Sequence, residues 1–246
     1  MTTGLSYDGS VAGTNSYVTQ IATMAVVSET DPAYLTILPQ MITYAENRMY
    51  RDLDFLFTSV SNTSYACTVG SRSISVPANT FVVPEQINLL TPAGTTNPDS
   101  GTRVPLLPTT KEFLDACYGS GLSANRAQPK YFAPFDDYTF LLGPYPDAGY
   151  QVEIVGTIRP ASMSASNPST FISLYLPDVF IMASMIYISA YQRNFGRAND
   201  DPQMAITYES QYQALLKSAM MEENRKKFEA AAWSSQSPSV VATPTR

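Results

Sequence analysis

The hydrophobic pattern changes period twice along the chain, and this constrains the fold more than any other feature. Apolar residues recur at helical spacing from residue 14 to about residue 57, and again after residue 160. Between these segments, short runs of alternating apolar and polar residues predict β-strands separated by Pro and Gly. Neither helical segment can bury its apolar stripe alone, so we expect the two segments to pack on each other.

The N-terminal helical segment is predicted to hold an early helix, capped within residues 14–16, and a second helical region. Asp31 is the expected N-cap of the second region, with Pro32 at its first position. Pro39 is expected to divide this region, because proline cannot donate a backbone N–H. Beyond it, one stripe of an amphipathic helix is formed by Ile42, Ala45, Met49 and Leu53.

The clearest β element is the segment "YTFLLGPYPDAGYQVEIVG" at residues 138–156. Apolar and polar residues alternate on both sides of a turn rich in Pro, Gly and Asp, which predicts two half-buried strands paired as a hairpin. One short helix over residues 109–119 interrupts the β region. Thr109 or Thr110 is its expected N-cap, and Gly119 follows its end.

The C-terminal helices begin after residue 170. The apolar run "VFIMASMIYISAY" at residues 179–191 is too short to span a bilayer and predicts a buried helix, with Pro177 near its start and Gly196 as the stop. A last helix is predicted from Pro202 to about Ala232, with Asp201 as its cap. Its expected inward stripe consists of Tyr208, Tyr212, Leu215 and Ala219.

These elements predict an α+β fold in which N- and C-terminal helices form an antiparallel helical bundle. An inserted antiparallel β domain is expected to project from one end of the bundle, and an extended C-terminal arm to follow it. The predicted domain ranges are a flexible N-terminus (1–13), N-terminal helices (14–57), a β-rich insertion (58–160), C-terminal helices (161–232) and the arm (233–246).

The composition excludes several kinds of chemistry. The chain has no histidine, so neither a Ser-His-Asp or Cys-His nucleophile nor a His-ligated metal site can be assembled. Two cysteines, Cys67 and Cys117, are too few for a structural zinc site, and a reduced intracellular chain is a simpler interpretation than a disulfide. We therefore expect no cofactor, no metal and no enzymatic activity.

The net charge of −6 disfavours ordinary nucleic-acid binding, because an acidic surface repels phosphate groups. The first residues, "MTTGLSYDGSVAG", have neither the basic region nor the apolar region of a signal peptide. We expect no association with a membrane.

The polar candidates have simpler structural interpretations. Asp136 and Asp137 are paired carboxylates, but no third acidic ligand is identifiable, so a loop is the better interpretation. The segment "NDDPQ" at residues 199–203 superficially resembles a calcium loop, yet lacks its spaced oxygens and closing Glu. Arg159 either forms a salt bridge or is solvated.

Trp233 is the single tryptophan, and it precedes a tail without periodicity that contains two prolines. Either it anchors a segment that becomes ordered on a partner, or its ring covers the end of its own helix. The sixteen tyrosines are compatible with protein–protein contacts, although most aromatic residues are expected in the core.

Several segments together resemble the head-to-tail adaptor (connector) proteins of short-tailed bacteriophages. The resemblance extends from about Ile21 to Ser235 and is carried by the order of the elements and by "GTIRP" between the β region and the following helix. The matching segments are "ITYAENRMYRDLD", "YFAPFDDYTFLLGPYPDAGYQVEIVGTIRP", "YLPDVFIMASMIYISAYQRNFG", "DDPQMAITYESQYQALLKSAMMEENRKKF" and "AAWSS".

The resemblance implies a ring of twelve copies beneath the portal of the virion head, made in the host cytoplasm and placed at the head–tail junction. The portal protein, the tail nozzle or fibre proteins and neighbouring copies would be its partners, and DNA would pass through the channel without specific binding. The portal-binding arm carried over onto this sequence is residues 233–246, with Trp233, Pro238, Val240, Val241, Pro244 and Arg246 as its contact residues.

A second hypothesis is a tail-associated component that binds carbohydrate or degrades cell walls. Cleavage of a glycosidic bond needs two carboxylates facing one groove at a suitable separation. Asp136 and Glu153 are the nearest such pair in the sequence.

Overall fold

A computed structural model describes residues 4–78, 80–95, 97–192 and 204–235. The chain is mixed α+β and divides into two compact units, which are described separately. The helical unit comprises residues 1–56 and 161–246, and the β unit comprises residues 57–160.

The described residues form six α-helices, five of them in the helical unit. In chain order they are α1 (Tyr17–Met24), α2 (Pro32–Asp52), α3 (Lys111–Cys117), α4 (Phe171–Tyr175), α5 (Pro177–Gln192) and α6 (Met204–Ser235).

The strands are mostly short, and all but the first two belong to the β unit. They are β1 (Gly4–Ser6), β2 (Thr14–Ser16), β3 (Ser59–Ala66), β4 (Ser73–Ser75), β5 (Val83–Thr91), β6 (Thr102–Pro105), β7 (Leu107–Pro108), β8 (Tyr131–Asp136), β9 (Thr139–Gly143) and β10 (Gln151–Thr157).

Side-chain caps begin several helices where the sequence predicts them. Ser16 accepts a hydrogen bond from the Thr19 N–H at the start of α1. Asp31 caps α2 with Pro32 at its first position, and Thr110 caps α3. These interactions satisfy N–H groups that the first turn of a helix leaves without partners, so they define the helix starts locally.

Helix α2 continues through Pro39, and the predicted division at this residue is wrong. Pro39 and Leu35 both lie on the exposed face of α2. Pro39 has no N–H to donate to the Leu35 carbonyl, but water can hydrate this carbonyl instead. Neighbouring side chains on the other face, including Leu38, Met41 and Ile42, are buried. Their packing outweighs one lost hydrogen bond, so the helix does not end.

The segment expected to be flexible over residues 1–13 contains a buried strand. β1 pairs in parallel with β2, and Leu5 and Ser6 are buried. The Tyr7 N–H also donates to the Pro168 carbonyl at 2.8 Å, which ties this segment to residues preceding α4.

Helix α5 packs against both α2 and α6 in the helical unit. It is apolar on several sides, and Val179, Phe180, Ala183, Met185 and Ile188 are all buried. The buried helix predicted from the apolar run at residues 179–191 is therefore confirmed, and Pro177 occupies its first position.

Helix α6 turns one side toward the core of the helical unit. Tyr212 and Ala219 are buried as predicted, but Leu216 is buried in place of the half-buried Leu215. The same stripe ends in Glu223, a charged residue that spacing alone did not single out. The predicted cap Asp201 and stop Gly196 lie outside the described residues.

The β unit contains two four-stranded sheets around one core. The first sheet has the order β3-β10-β5-β6, and the second has the order β4-β9-β8-β7. All pairings are antiparallel except β7–β8. Both sheets contribute core side chains, among them Ile87, Leu89, Phe140, Leu142, Val152 and Ile154.

The predicted hairpin at residues 138–156 is wrong, although both of its strands exist. β9 pairs with β4 and β8 in the second sheet, whereas β10 pairs with β3 and β5 in the first. The proline-rich connection thus carries the chain from one sheet to the other. Alternation of apolar and polar residues specifies which face of each strand is buried, and Phe140 and Ile154 do share one core. Alternation does not specify which strand lies next to it in the sheet.

Helix α3 covers part of the outer side of the second sheet. Leu114 of α3 forms a small buried cluster with Ala133 and Leu141. The alternation in β9 therefore places Phe140 and Leu142 in the main core and Leu141 under the helix. The Arg72 side chain reaches Asp115 of α3 at 2.6 Å, which holds α3 to the segment before β4, and Lys111 of the same helix also contacts Asp115 at 2.6 Å.

Candidate interaction surfaces

A charged cluster joins α2 to α6, and we name it the Arg48 cluster: Arg48, Asp52, Glu209 and Tyr212. The Arg48 guanidinium lies 2.6 Å from Glu209 Oε1, 3.6 Å from Asp52 Oδ2 and 4.4 Å from the centre of the Tyr212 ring. The Tyr212 hydroxyl donates to Asp52 Oδ2 at 2.7 Å. All four side chains are thereby fixed between the two helices.

Electrostatics within the Arg48 cluster favour the ionised forms of Arg48 and Glu209. Burial lowers the pKa of Arg48, but the hydrogen bond and charge of Glu209 outweigh this effect and raise it. The same contact lowers the pKa of Glu209. Burial and the Asp52 carboxylate raise the pKa of Tyr212, so its hydroxyl remains a donor.

Further along α6, ionic contacts continue toward its C-terminal end. Lys226 contacts Glu223 at 2.6 Å and Glu222 at 3.2 Å, and lies 5.3 Å from the centre of the Phe171 ring. Lys227 forms an ion pair with Asp54. The charged segment "EENRKKFE" thus attaches the helix to residues near α2 and α4.

Glu46 is a buried carboxylate in the helical unit, only 1% exposed. The Met163 N–H donates to its Oε1 at 3.1 Å, whereas its Oε2 has no hydrogen-bond partner within the described residues. Burial raises the pKa of Glu46, and the nearby Ser162, Met163 and Thr170 oppose that rise only in part. Glu46 therefore holds the segment by which the chain re-enters the helical unit.

In the β unit, Glu153 is buried on the side of β10 opposite the main core, since Val152 and Ile154 face inward. It accepts hydrogen bonds from Ser61, Asn88 and Arg103 at 2.8–3.2 Å. Burial raises its pKa, but these donors outweigh burial and lower it overall. All of its contacts lie within the sheet, which indicates a structural carboxylate.

The pair proposed for carbohydrate cleavage is not brought together as a catalytic arrangement. Asp136 is exposed and accepts a hydrogen bond from the Tyr138 N–H in the turn between β8 and β9, in the other sheet from Glu153. Asp137 is also exposed, as is Arg159. The turn interpretation of residues 136 and 137 agrees with this geometry.

The described residues contain no group of three His, Cys, Asp or Glu side chains placed to hold a metal ion. Cys67 is buried and Cys117 exposed, and both are free thiols. Burial raises the pKa of Cys67 to about 12, so this thiol is unreactive. No helix in the described part of the chain combines the length and apolarity needed to cross a membrane.

Two surface features of the helical unit have room for a partner. The first, which we name the α5–α6 groove, has a volume of about 510 Å³ and lies between α1, α5 and α6. The second, the α2 outer face, consists of Pro39, Gln40, Thr43, Tyr44, Asn47 and Arg51. Large apolar side chains are also exposed on this unit, among them Val26, Leu35, Tyr175, Ile206 and Met221.

The β unit exposes an aromatic surface beside α3. Phe113, which is 40% exposed, packs edge-on against Tyr131 at 5.5 Å and Tyr118 at 6.4 Å between ring centres. Phe135, Tyr138 and Leu107 of the same sheet region are exposed as well. Aromatic surfaces of this kind are typical of protein–protein contacts.

The predicted portal-binding arm lies almost wholly outside the described residues. Helix α6 extends to Ser235, so the backbone of Trp233 belongs to its last turn. The remaining predicted contact residues lie outside the described part of the chain: Pro238, Val240, Val241, Pro244 and Arg246. Their assignment stays a prediction.

Sequence reasoning missed the buried charged residues that organise the helical unit. Glu46 follows the buried Ile42 by four residues and Glu223 follows the buried Ala219 by four, so each continues an apolar stripe. This four-residue spacing is the sequence feature that indicates burial of both carboxylates. Arg48 is half-buried and contacts α6, and no local pattern in the sequence indicates this contact.

The fold and these surfaces define the class of protein: a two-unit α+β chain with exposed apolar and aromatic surfaces suited to contacts with other proteins. The chain belongs to the SU10 adaptor protein family, whose family model matches residues 18–240. It is thus a phage structural adaptor, a virion component associated with other head and tail proteins. A comparison with curated proteins finds no match.

Proposed function

We propose that this chain joins the portal of the phage head to the tail, forming a ring around the channel through which DNA leaves. The observation that carries this proposal is the family match over residues 18–240, which covers most of both units. The ring, with twelve copies as the expected number, places the helical units side by side and turns the β unit toward nozzle or fibre proteins.

Three features of the chain support a structural function. Among the described residues, the buried carboxylates Glu46, Glu153 and Glu223 all have structural contacts. The aromatic surface beside α3 suits a protein partner in the tail. The net charge of −6 suits a channel wall to which DNA must not adhere, because like charges keep phosphates away.

Binding to the cognate portal tests the proposal. The purified full chain is mixed with the portal, and the complex is isolated by sedimentation and its copy number weighed by native mass spectrometry. We expect a stable complex of many copies for the full chain and strongly reduced binding for a chain ending at Ala232, which lacks the predicted arm. Absence of any complex with the full chain would refute the proposed function.

A further inference from the structure

The α5–α6 groove combines an apolar lining with an acceptor that lacks a donor. Its lining residues include Met24, Ile181, Met182 and Leu215. Gln20 also lines it, and the Oε1 atom of Gln20 is shielded from solvent without a hydrogen-bond partner within the described residues. A shielded carbonyl oxygen without a donor costs free energy, so an occupant that brings an N–H or O–H group is favoured.

The groove also carries an exposed acidic group. Asp178, in the first turn of α5, lines the groove and has no ion-pair partner among the described residues. An occupant with a basic side chain at the matching position would therefore gain an attraction in addition to apolar contact.

The α2 outer face has the complementary properties. It lies on the opposite side of α2 from the buried Ile42 and Met49. Its Tyr44 ring is held 5.1 Å from the Tyr187 ring, and the Tyr187 hydroxyl donates to Gln40 Oε1 at 3.2 Å. These contacts hold the Gln40 and Tyr44 side chains in place in the absence of a partner.

The α2 outer face also supplies the groups that the groove lacks. Gln40 and Asn47 carry amide N–H donors. The Arg51 guanidinium donates to the Asn47 carbonyl at 3.1 Å and has no carboxylate partner among the described residues. Donors and a cation on this face thus match an acceptor and an anion in the groove.

We propose that the α2 outer face of one copy docks into the α5–α6 groove of the next copy, with Arg51 against Asp178. The two surfaces lie on different sides of one helical unit: Tyr187, which contacts the α2 outer face, follows Asp178 of the groove by nine residues and therefore lies on the opposite side of α5. They cannot meet within one chain, so each contact joins unlike surfaces of two copies. Repetition of such a head-to-tail contact closes into a ring when the rotation allows. The inference rests on the proposed function and specifies its subunit interface.

Charge exchange on portal-bound copies tests this interface. Arg51→Asp, Asp178→Arg, the double variant with both changes and an equimolar mixture of the two single variants are each loaded onto the cognate portal. Copies per portal are measured by native mass spectrometry. Lys130→Asp serves as the matched control, since Lys130 is an exposed cation of the β unit and lines neither surface.

We expect each single variant to lose at least about tenfold in loading affinity, because like charges then face each other across every contact. The double variant and the mixture should recover most of that loss, and Lys130→Asp should load like the unaltered chain. Helical content and unfolding midpoints of all variants are measured first, so that a misfolded single variant is recognised. Recovery of loading in the mixture of the two single variants then decides whether the two surfaces pair.

If both single variants load like the unaltered chain, the interface is overturned while the proposed function stands, and another protein or residues 236–246 occupy the groove. Loss in the single variants without recovery in the mixture also overturns the pairing. If the unaltered chain does not bind the portal, the proposed function fails and this inference fails with it.

Discussion

Replacing Arg48 tests whether the Arg48 cluster holds α6 against α2. Arg48→Met keeps the apolar stem but removes the ion pair with Glu209 and the contact with the Tyr212 ring. The Glu209 side chain is 38% exposed, so solvent screening limits the ion pair to about 0.5–1 kcal/mol. The cation lies on a buried ring and contributes about 1–2 kcal/mol. We expect the helical unit to lose about 2 kcal/mol of unfolding free energy.

Urea unfolding followed by far-UV circular dichroism measures this loss, because most of the helices belong to the helical unit. Arg48→Lys should lose an intermediate amount, since lysine keeps the charge but not the planar group that stacks on Tyr212. In about 1 M salt, the ion-pair part should shrink while the ring contact persists.

Lys217→Met is the matched control for Arg48→Met, because Lys217 is an exposed cation on α6 and its loss should change stability by less than about 0.5 kcal/mol. A loss for Arg48→Met no larger than that of the control would refute the reasoning. In that case, burial of Tyr212 and Leu216 alone would hold α6 in place.

Three further predictions concern stability in each unit. Glu46→Gln should stabilise the chain at neutral pH but not at a pH below the ordinary glutamate pKa. The pKa of Glu46 is raised in the folded state, so folding is penalised only at pH values at which Glu46 is ionised in the unfolded chain. Urea unfolding at several pH values checks this, and a difference independent of pH would contradict it. Ile154→Ala should cost about 2–5 kcal/mol and Ile154→Val about 0.5–1.5 kcal/mol in the β unit, since Ile154 is fully buried. Hydrogen exchange localised to residues 57–160 measures both, and equal losses would argue against tight packing. A fragment of residues 57–160 should fold alone; lack of a cooperative urea transition would contradict that expectation.

Features set by neighbours in sequence were predictable here. The caps of α1, α2 and α3 depend on a side chain reaching an N–H two or three residues later, so Ser16, Asp31 and Thr110 could be identified as caps or among the candidates. The stripe from Ile42 to Leu53 is buried as its spacing predicts. The coarser expectation of a phage adaptor, drawn from resemblance, is confirmed by the family match.

Features set by distant segments were not predictable from local pattern. The segment at residues 138–156 contains two true strands, but their partners come from residues 59–91 and 131–136. The missing N–H of Pro39 predicts a break in the helix, whereas the buried side chains around Pro39 keep the helix continuous. Glu46 continues an apolar stripe, and only its contact with Met163, 117 residues away, shows why a carboxylate is placed there.

The connection between the two units follows from the pairing of β3 with β10. Ser59 lies opposite Thr157, and the Ile158 N–H donates to the Thr58 carbonyl at 2.8 Å. The β unit therefore begins and ends at neighbouring backbone positions, about 5 Å apart between paired Cα atoms.

Because the β unit holds its own two ends close together, residues 57–160 connect the two parts of the helical unit as a short loop would. The entropy cost of ordering such a long connection is offset by the packing within the sheets. Substitutions on the outer side of the second sheet, such as at Phe113 or Phe135, therefore leave the ends of β3 and β10 in place. For an adaptor, this separates two requirements: the surface proposed to meet the tail can change with its partner, while the packing of α2, α5 and α6 stays the same.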